Sequence, residues 1–479
     1  MVLVFDIGTT AVKGALFERD GNLSAVESRS VTLKPSADPN THEIDPEEWL
    51  LSIKSIISGF MANFQGPIEA IVVSGNGPTL VPSDENGKAL MPAMTWMDRR
   101  GVEEAEILKE KNGVYIDPTF YLPKAFWVAR NRPGIYEKTS HFFSCPEYVA
   151  FYLTGEAAMV FPGEGLEFGV WTDDLIGSVD LDHEKFPPLV FTGHSLGRVT
   201  ATAAQQLQIE KGIPVFAGGP DFIMALLGTA SVKPGRACDR AGTSEGINVC
   251  SEKKIADSRL LCYRHVARDF WNITGIISTS GKALEWFKNS AFGKETTFPE
   301  MLARLKNVPS GSNKLVFLPY LTGERAPVWD PRARGVFLGL TLQHGIEEMG
   351  HAILESVGYA IRDVLTVMEE KGIVTDELRI TGNPAKSKLW NQLKADISGK
   401  SILVPETGES ELTGDLCVAL FGLGDYKTPA EASDTIVKFA ETYTPDKGKY
   451  NLYEDLFSVY RESYTSLKHV FTKLADIHP

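Results

Sequence analysis

The chain has 479 residues, 43% of them hydrophobic and 23% charged, with a formal net charge of −14. That length exceeds one ordinary core and predicts two domains or three, in a composition typical of globular proteins. The acidic balance excludes a chain whose main partner is nucleic acid or an anionic membrane, no apolar run is long enough to span a bilayer, and Asp6 interrupts an N-terminus without a basic region, so a cytoplasmic protein is expected.

In chain order, residues 2–5 form an apolar run with strand character that ends at Asp6 and a tight turn, Gly8, Thr9 and Thr10. A second strand-like run, 12–17, follows, and Asp20 with Gly21 has the chemistry of a hairpin turn. Backbone N–H groups, two hydroxyls and Lys13 can meet an anion there, and Asp6 can hold a hydrated Mg²⁺. By itself this stretch reads equally well as an ordinary polar hairpin. Residues 70–74 are a short buried strand ending in the turn-rich Gly75, Asn76, Gly77 and Pro78. Residues 214–217 repeat that design, ending in Gly218, Gly219, Pro220 and Asp221, and so do 315–318 and 378–381, the last followed by 382–387. Strand ends of this kind are where open α/β sheets bind ligands. Between them, Gly193, His194, Ser195, Leu196 and Gly197 spell GxSxG after an apolar run, the local context of a hydrolase nucleophile. Pro234 and Gly235 break the pattern and put a domain boundary at 237/238. Beyond it, Gly242, Thr243 and Ser244 echo the first turn and predict two similar halves. Residues 349–368 carry a helical apolar stripe, as do 453–474, and both read as core-packing helices. The five cysteines are sparse and lack CxxC spacing, so reduced thiols are expected rather than disulfides or a zinc site.

The longest diagnostic stretch is LPYLTGERAPVWDP, followed by ARGVFLGL and EMGHAILE, within 318–355. Together with DIGTT, the Trp96, Met97, Asp98, Arg99 run, GGPD, GTSEG and TGNPAKSKLWNQLKAD, it resembles the FGGY family of carbohydrate kinases nearly end to end. The resemblance implies an α/β chain of the actin-like ATPase (ribonuclease H-like) fold: two duplicated α/β domains around a central cleft, 1–237 for the sugar and the base, 238–479 for the nucleotide. It implies an ATP- and Mg²⁺-dependent transfer of phosphate to a hydroxyl of a small sugar, and it allows a homodimer. Asp221 matches the catalytic base and Asp6 the Mg²⁺-associated carboxylate. Thr9, Thr10 and Lys13 match the first phosphate loop, and Gly242, Thr243 and Ser244 the second. Gly382, Ser387 and Asn391 match the nucleoside site, although Asn383 and Pro384 stand where the family has a further glycine. Glu411 and Gly414 resemble the next nucleotide-side loop. Asn76, Gly77, Trp96, Asp98, Arg99 and Phe222 are the candidate sugar contacts, with Trp96 read equally well as core. GERAP at 323–327 is the form common among xylulose and gluconate kinases, so a pentulose such as D-xylulose leads. Against it, Asn76, Gly77, Pro78 and Thr79 replace the usual Gln-Met-His-Gly, and Phe222 replaces an asparagine. Kinases of ribulose, gluconate, glycerol or erythritol remain alternatives, as does an actin-like ATPase module without kinase activity.

Overall fold

The structure, a computed structural model, describes residues 1–64, 66–166 and 169–477. In chain order its main elements are β1 Val2–Ile7, β2 Ala11–Phe17, β3 Leu23–Ser30, α1 Pro46–Asn63, β4 Ala70–Gly75, α2 Tyr121–Asn131, α3 Cys145–Thr154, β5 Ser195–Arg198, β6 Pro214–Pro220 and α4 Asp221–Gly228. They continue with β7 Arg236–Ala241, β8 Glu245–Ser251, β9 Leu261–Arg264, β10 Trp271–Ile277, α5 Ile346–Glu370, β11 Glu377–Thr381, α6 Lys388–Ser398, β12 Ser401–Pro405, α7 Ser410–Gly422, α8 Pro429–Ile436, β13 Phe439–Tyr443 and α9 Tyr450–Ala475.

The chain divides into two compact units. The first is Met1–Gly228 together with Ser410–Val437, and the second is Thr229–Glu409 with Lys438–Pro479. By their packing α7 and α8 belong with the first unit, although they lie beyond the single cut expected at 237/238. The physical reason lies in a close helix crossing. A Cβ on Gly228 of α4 would overlap the Ser410 carbonyl, and one on Gly414 of α7 would overlap the Met224 carbonyl. Two helices can approach that closely only where glycines remove both side chains.

Among the described residues, the first unit is built on a six-stranded sheet in the order β5-β6-β4-β1-β2-β3. The β1–β2–β3 meander is antiparallel, β1, β4 and β6 run parallel, and β5 is antiparallel to β6. The second unit repeats this plan as β10-β8-β7-β11-β12-β13, with β9 added at the β10 edge. The central strands read as continuous apolar runs because both of their faces are covered; all of β4 is buried. On one face of the first sheet Phe5, Ile7, Leu16 and Ile71 pack against Ile53, Ile56 and Ile57 of α1. A second apolar cluster in this unit, including Leu80, Met94, Tyr121, Leu122, Phe142 and Trp171, supports an inserted region between β4 and β5.

The two long apolar stripes are helices, α5 and α9, and both contribute to the second unit's core. The strand expected at 315–318 exists as Val316–Leu318, but among the described residues it pairs only with Val336–Leu338 in a two-stranded ribbon. The GxSxG serine opens β5, which is antiparallel to β6, and is exposed. A nucleophile elbow needs a strand-to-helix turn, so that reading is overturned here. No helix among the described residues is long and apolar enough to cross a membrane.

Candidate active site

The register of the first sheet carries Asp6 to the C-terminal end of β1, directly opposite Lys13 on β2 and Ser74 on β4. Residues opposed across an antiparallel pair share a face, so Asp6 and Lys13 project together. The turn that follows is closed by Gly8 N–H donating to the Ala11 carbonyl at 3.0 Å. A Cβ on Gly8 would lie 2.5 Å from that oxygen, so glycine is required. Thr9 is half-buried and Thr10 exposed. Thr9 Oγ1 accepts from Asn76 Nδ2 at 2.6 Å and from Trp96 Nε1 at 2.9 Å. Asn76 is itself held by its N–H on the Ile7 carbonyl (3.1 Å), by Thr79 Oγ1 donating to its Oδ1 (2.9 Å) and by Cys145 Sγ donating to its carbonyl (3.0 Å).

Asp221 opens α4 directly after β6, in the helix's first turn, where a carboxylate complements the dipole. Gly219 has φ +121° there, the left-handed region that glycine tolerates. Burial pushes the Cys145 thiol well up, and the charges of Glu147, Asp6 and Asp221 push it further. Ile7 at the end of β1 and Pro220 at the end of β6 both stand opposite Gly75 of β4, so the two candidate carboxylates lie at neighbouring strand ends. Glu147 is buried and pushed up to about 7 by that burial. Asp415 of α7 is fully buried, and Ser74 Oγ donates to its Oδ2 at 2.7 Å. Burial holds its carboxyl well above the usual range against that bond, and the fields of Asp6 and Glu411 act in the same upward direction. Glu411 and Gly414, expected in a nucleotide-side loop, lie within α7.

The candidate sugar residues fall into two groups. Gly77 faces Tyr121, whose hydroxyl would be 2.6 Å from a Cβ at position 77. Phe222 is half-buried, one residue after Asp221. Trp96 is 46% exposed, which removes the core reading. Asp98, in contrast, is fully buried. Its carboxylate accepts from His42 N–H at 2.9 Å and from Arg100 through Nε at 3.1 Å and a terminal nitrogen at 2.9 Å. Arg100 also pairs with Glu43 at 2.8 Å and stacks over Trp127. Asp98 therefore braces its own segment, while Arg99 stays exposed beside Asp117. Beneath both loops lies Lys124 of α2, fully buried, whose Nζ donates to the Pro78 carbonyl at 2.7 Å and to the Thr95 carbonyl at 2.6 Å. Burial pulls its ammonium down to about 7.

In the second unit, Gly242, Thr243 and Ser244 form the β7–β8 turn, with Thr243 exposed. Ser280 and Lys282 donate backbone N–H groups to the Thr243 carbonyl, at 3.1 and 3.2 Å. Gly382 follows β11 with φ +90°, and a Cβ there would overlap the Ala241 carbonyl, so the two turns abut. Ser387 caps α6 by accepting from Trp390 N–H at 3.3 Å, and Asn391 Nδ2 donates to the Ala385 carbonyl at 2.7 Å. Under the turn, Lys394 is buried against Asp239 at 2.8 Å and against Glu245, which also accepts from Ser280 Oγ. Burial and the Glu245 charge push the Asp239 carboxyl well up.

Sequence reasoning missed Ser74, Tyr121, Lys124, Cys145, Lys394 and Asp415. The one available signal was a lysine in an otherwise apolar helical stripe, at 124 between Leu122 and Phe126 and at 394 between Leu393 and Ile397.

Models of the two domains of one family match in order: the N-terminal domain of the FGGY family of carbohydrate kinases over residues 1–228 and its C-terminal domain over 240–423. The chain belongs to the FGGY family of carbohydrate kinases. It is a sugar kinase with two α/β domains of the actin-like ATPase fold. A xylulose kinase of Staphylococcus epidermidis is 29% identical over 497 residues, covering 100% of this chain and 99% of the relative. A gluconokinase of Bacillus subtilis is also 29% identical, over 511 residues, covering 99% of this kinase and 98% of the relative. Among solved structures, a xylulose kinase from Rhodospirillum rubrum superposes with a TM-score of 0.85 at 26% identity, over 98% of this chain and 99% of that one.

Proposed function

We propose that this FGGY kinase transfers the γ-phosphate of ATP to a primary hydroxyl of a small sugar, with Asp221 as the base. The observation that carries this is that Asp6 and Asp221 stand at strand ends that flank the same residue of the first sheet, Gly75 of β4. Asp221 accepts the proton of the sugar hydroxyl as its oxygen bonds to the γ-phosphorus, and ADP leaves. Thr9, Thr10 and Lys13 of the first unit, and Gly242, Thr243 and Ser244 of the second, are the phosphate-binding turns. Gly382, Ser387 and Asn391 shape the nucleoside site. Among the described residues no cluster of three or more His, Cys, Asp or Glu is placed to hold a metal. A single carboxylate, Asp6, fits an Mg²⁺ that arrives with the nucleotide, because that ion keeps several waters and takes one or two protein carboxylates plus phosphate oxygens. When bound, it neutralises charge on the transferring group. Consumption of ATP fits a cytoplasmic enzyme.

For the substrate, a pentulose such as D-xylulose leads, supported by full-length similarity to proteins named xylulose kinase. Asn76, Gly77, Trp96, Arg99 and Phe222 form the sugar side, with Asp98 as a brace. The Tyr121 hydroxyl over Gly77 favours a second reading, a kinase for another ketose, polyol or sugar acid. ADP release across D-xylulose, D-ribulose, D-gluconate, glycerol and erythritol, with Mg-ATP, tests both. One strong responder is expected. Asp221→Asn should lower kcat on that responder by about 10²–10⁴-fold, the usual contribution of a positioned base, with Mg-ATP affinity nearly unchanged. Near-full activity in that variant would overturn the mechanism.

A further inference from the structure

Three loops meet at a single oxygen. Thr9 comes from the β1–β2 turn, Asn76 from the end of β4, and Trp96 from the inserted region, and the last two both donate to Thr9 Oγ1 at 2.6 and 2.9 Å. A threonine hydroxyl has two acceptor lone pairs and one donor. Two accepted bonds occupy the lone pairs and leave the O–H a single tetrahedral direction. The remaining capability of this side chain is donation, and an oxyanion is its natural acceptor.

The two donors are not independently mobile. Asn76 is fixed at its N–H, Oδ1 and carbonyl by Ile7, Thr79 and Cys145. The loop behind it and the segment carrying Trp96 are bridged by one buried side chain, since Lys124 Nζ donates to both the Pro78 and Thr95 carbonyls. A displacement of Trp96 or Asn76 is therefore transmitted to the Thr9 hydroxyl.

We propose that Asn76 and Trp96 are positioning residues for the phosphate turn, acting through Thr9: they orient its hydroxyl toward a nucleotide phosphate, so that sugar-side residues set how tightly that turn grips ATP. The inference rests on reading the 8–10 turn as a phosphate loop. It supplies a reason for sugar occupancy and phosphate binding to be linked within one unit, since a ligand that draws Trp96 or Asn76 to itself releases or redirects the Thr9 donor.

The test is a double-mutant cycle on Mg-ATP affinity, measured by calorimetry with no sugar present, across wild type, Thr9→Val, Trp96→Phe and the double variant. A net hydrogen bond corresponds to about two- to tenfold in affinity. Trp96→Phe should weaken Mg-ATP binding by that factor in the wild-type background and have no further effect once Thr9 is valine. Thr9→Ser, which restores the hydroxyl, should restore both the affinity and the sensitivity to Trp96→Phe. Equal effects of Trp96→Phe in the two backgrounds would overturn the coupling, and an unchanged affinity in Thr9→Val would overturn the phosphate contact and the proposal with it. Should Trp96→Phe fail to fold, Asn76→Ser closes the same cycle. Because no sugar enters the measurement, a wrong substrate assignment leaves the cycle readable, and the two failures are separable.

Discussion

A methyl group at position 77 would stand 2.6 Å from the Tyr121 hydroxyl, closer than real Cβ contacts allow. Gly77→Ala should therefore push Tyr121 or the loop aside and raise KM for the sugar severalfold while KM for ATP holds; equal changes in both would remove Gly77 from the sugar side. Glu147 gives a pH prediction. Its folded form titrates near 7, above the ordinary 4.5, because burial disfavours the charge. Between about pH 4.5 and about pH 7 the folded state binds more protons than the unfolded one, so this group's contribution is present below that window and is lost as pH rises through it. Glu147→Gln should lack the decline, and its stability relative to wild type in urea should rise by up to about 3 kcal/mol between pH 4.5 and pH 7.5. A constant difference would contradict the buried carboxyl. At this scale Asp6 and Asp221 were legible because each follows a strand and a glycine turn lies close by. Asp98 was legible as a polar residue near the site, but the use of its carboxylate was not, since its partners include His42, far away in sequence. Asp415 and the partners of Lys124 were illegible for the same reason: a buried polar group is satisfied by residues distant in sequence, not by its neighbours along the chain.

Among elements, the α4–α7 crossing depends on two missing side chains. Gly414→Ala meets the Met224 backbone, which cannot rotate away as a side chain can, so it should destabilise the first unit by about 1–3 kcal/mol or more. A lowered Tm with unchanged far-UV circular dichroism before the transition is the expected result; an unchanged Tm would show that the helices can separate at little cost. The strands and the two long helices were readable because alternation, apolar runs and the 3.6-residue stripe are local signals. The destination of α7 was not readable. It is apolar nearly all round, with Leu412, Leu416, Val418 and Leu420 buried, and such a helix does not say which sheet it will cover.

Across the whole molecule, six strands of one sheet are repeated in order and direction by six of the other. The echo between the Gly8 and Gly242 turns was the visible trace of that repeat. The order of strands was not, because it is fixed by long-range pairing. The first unit also leaves its chain at Gly228 and regains it at Ser410. During vectorial synthesis, the residues of its sheet emerge long before the helix that completes them, and the nascent unit must wait, partly uncovered, until Val437 has been made. A fragment ending at residue 228 should then bind a hydrophobic dye and attract chaperones, whereas the same fragment fused through a linker to 410–437 should not. A dye-silent, cooperatively melting 1–228 fragment would show that α7 is an addition to a finished fold. Otherwise the interleaved chain ties the completion of one unit to the synthesis of the other: a premature stop before Val437 leaves the first unit unfinished.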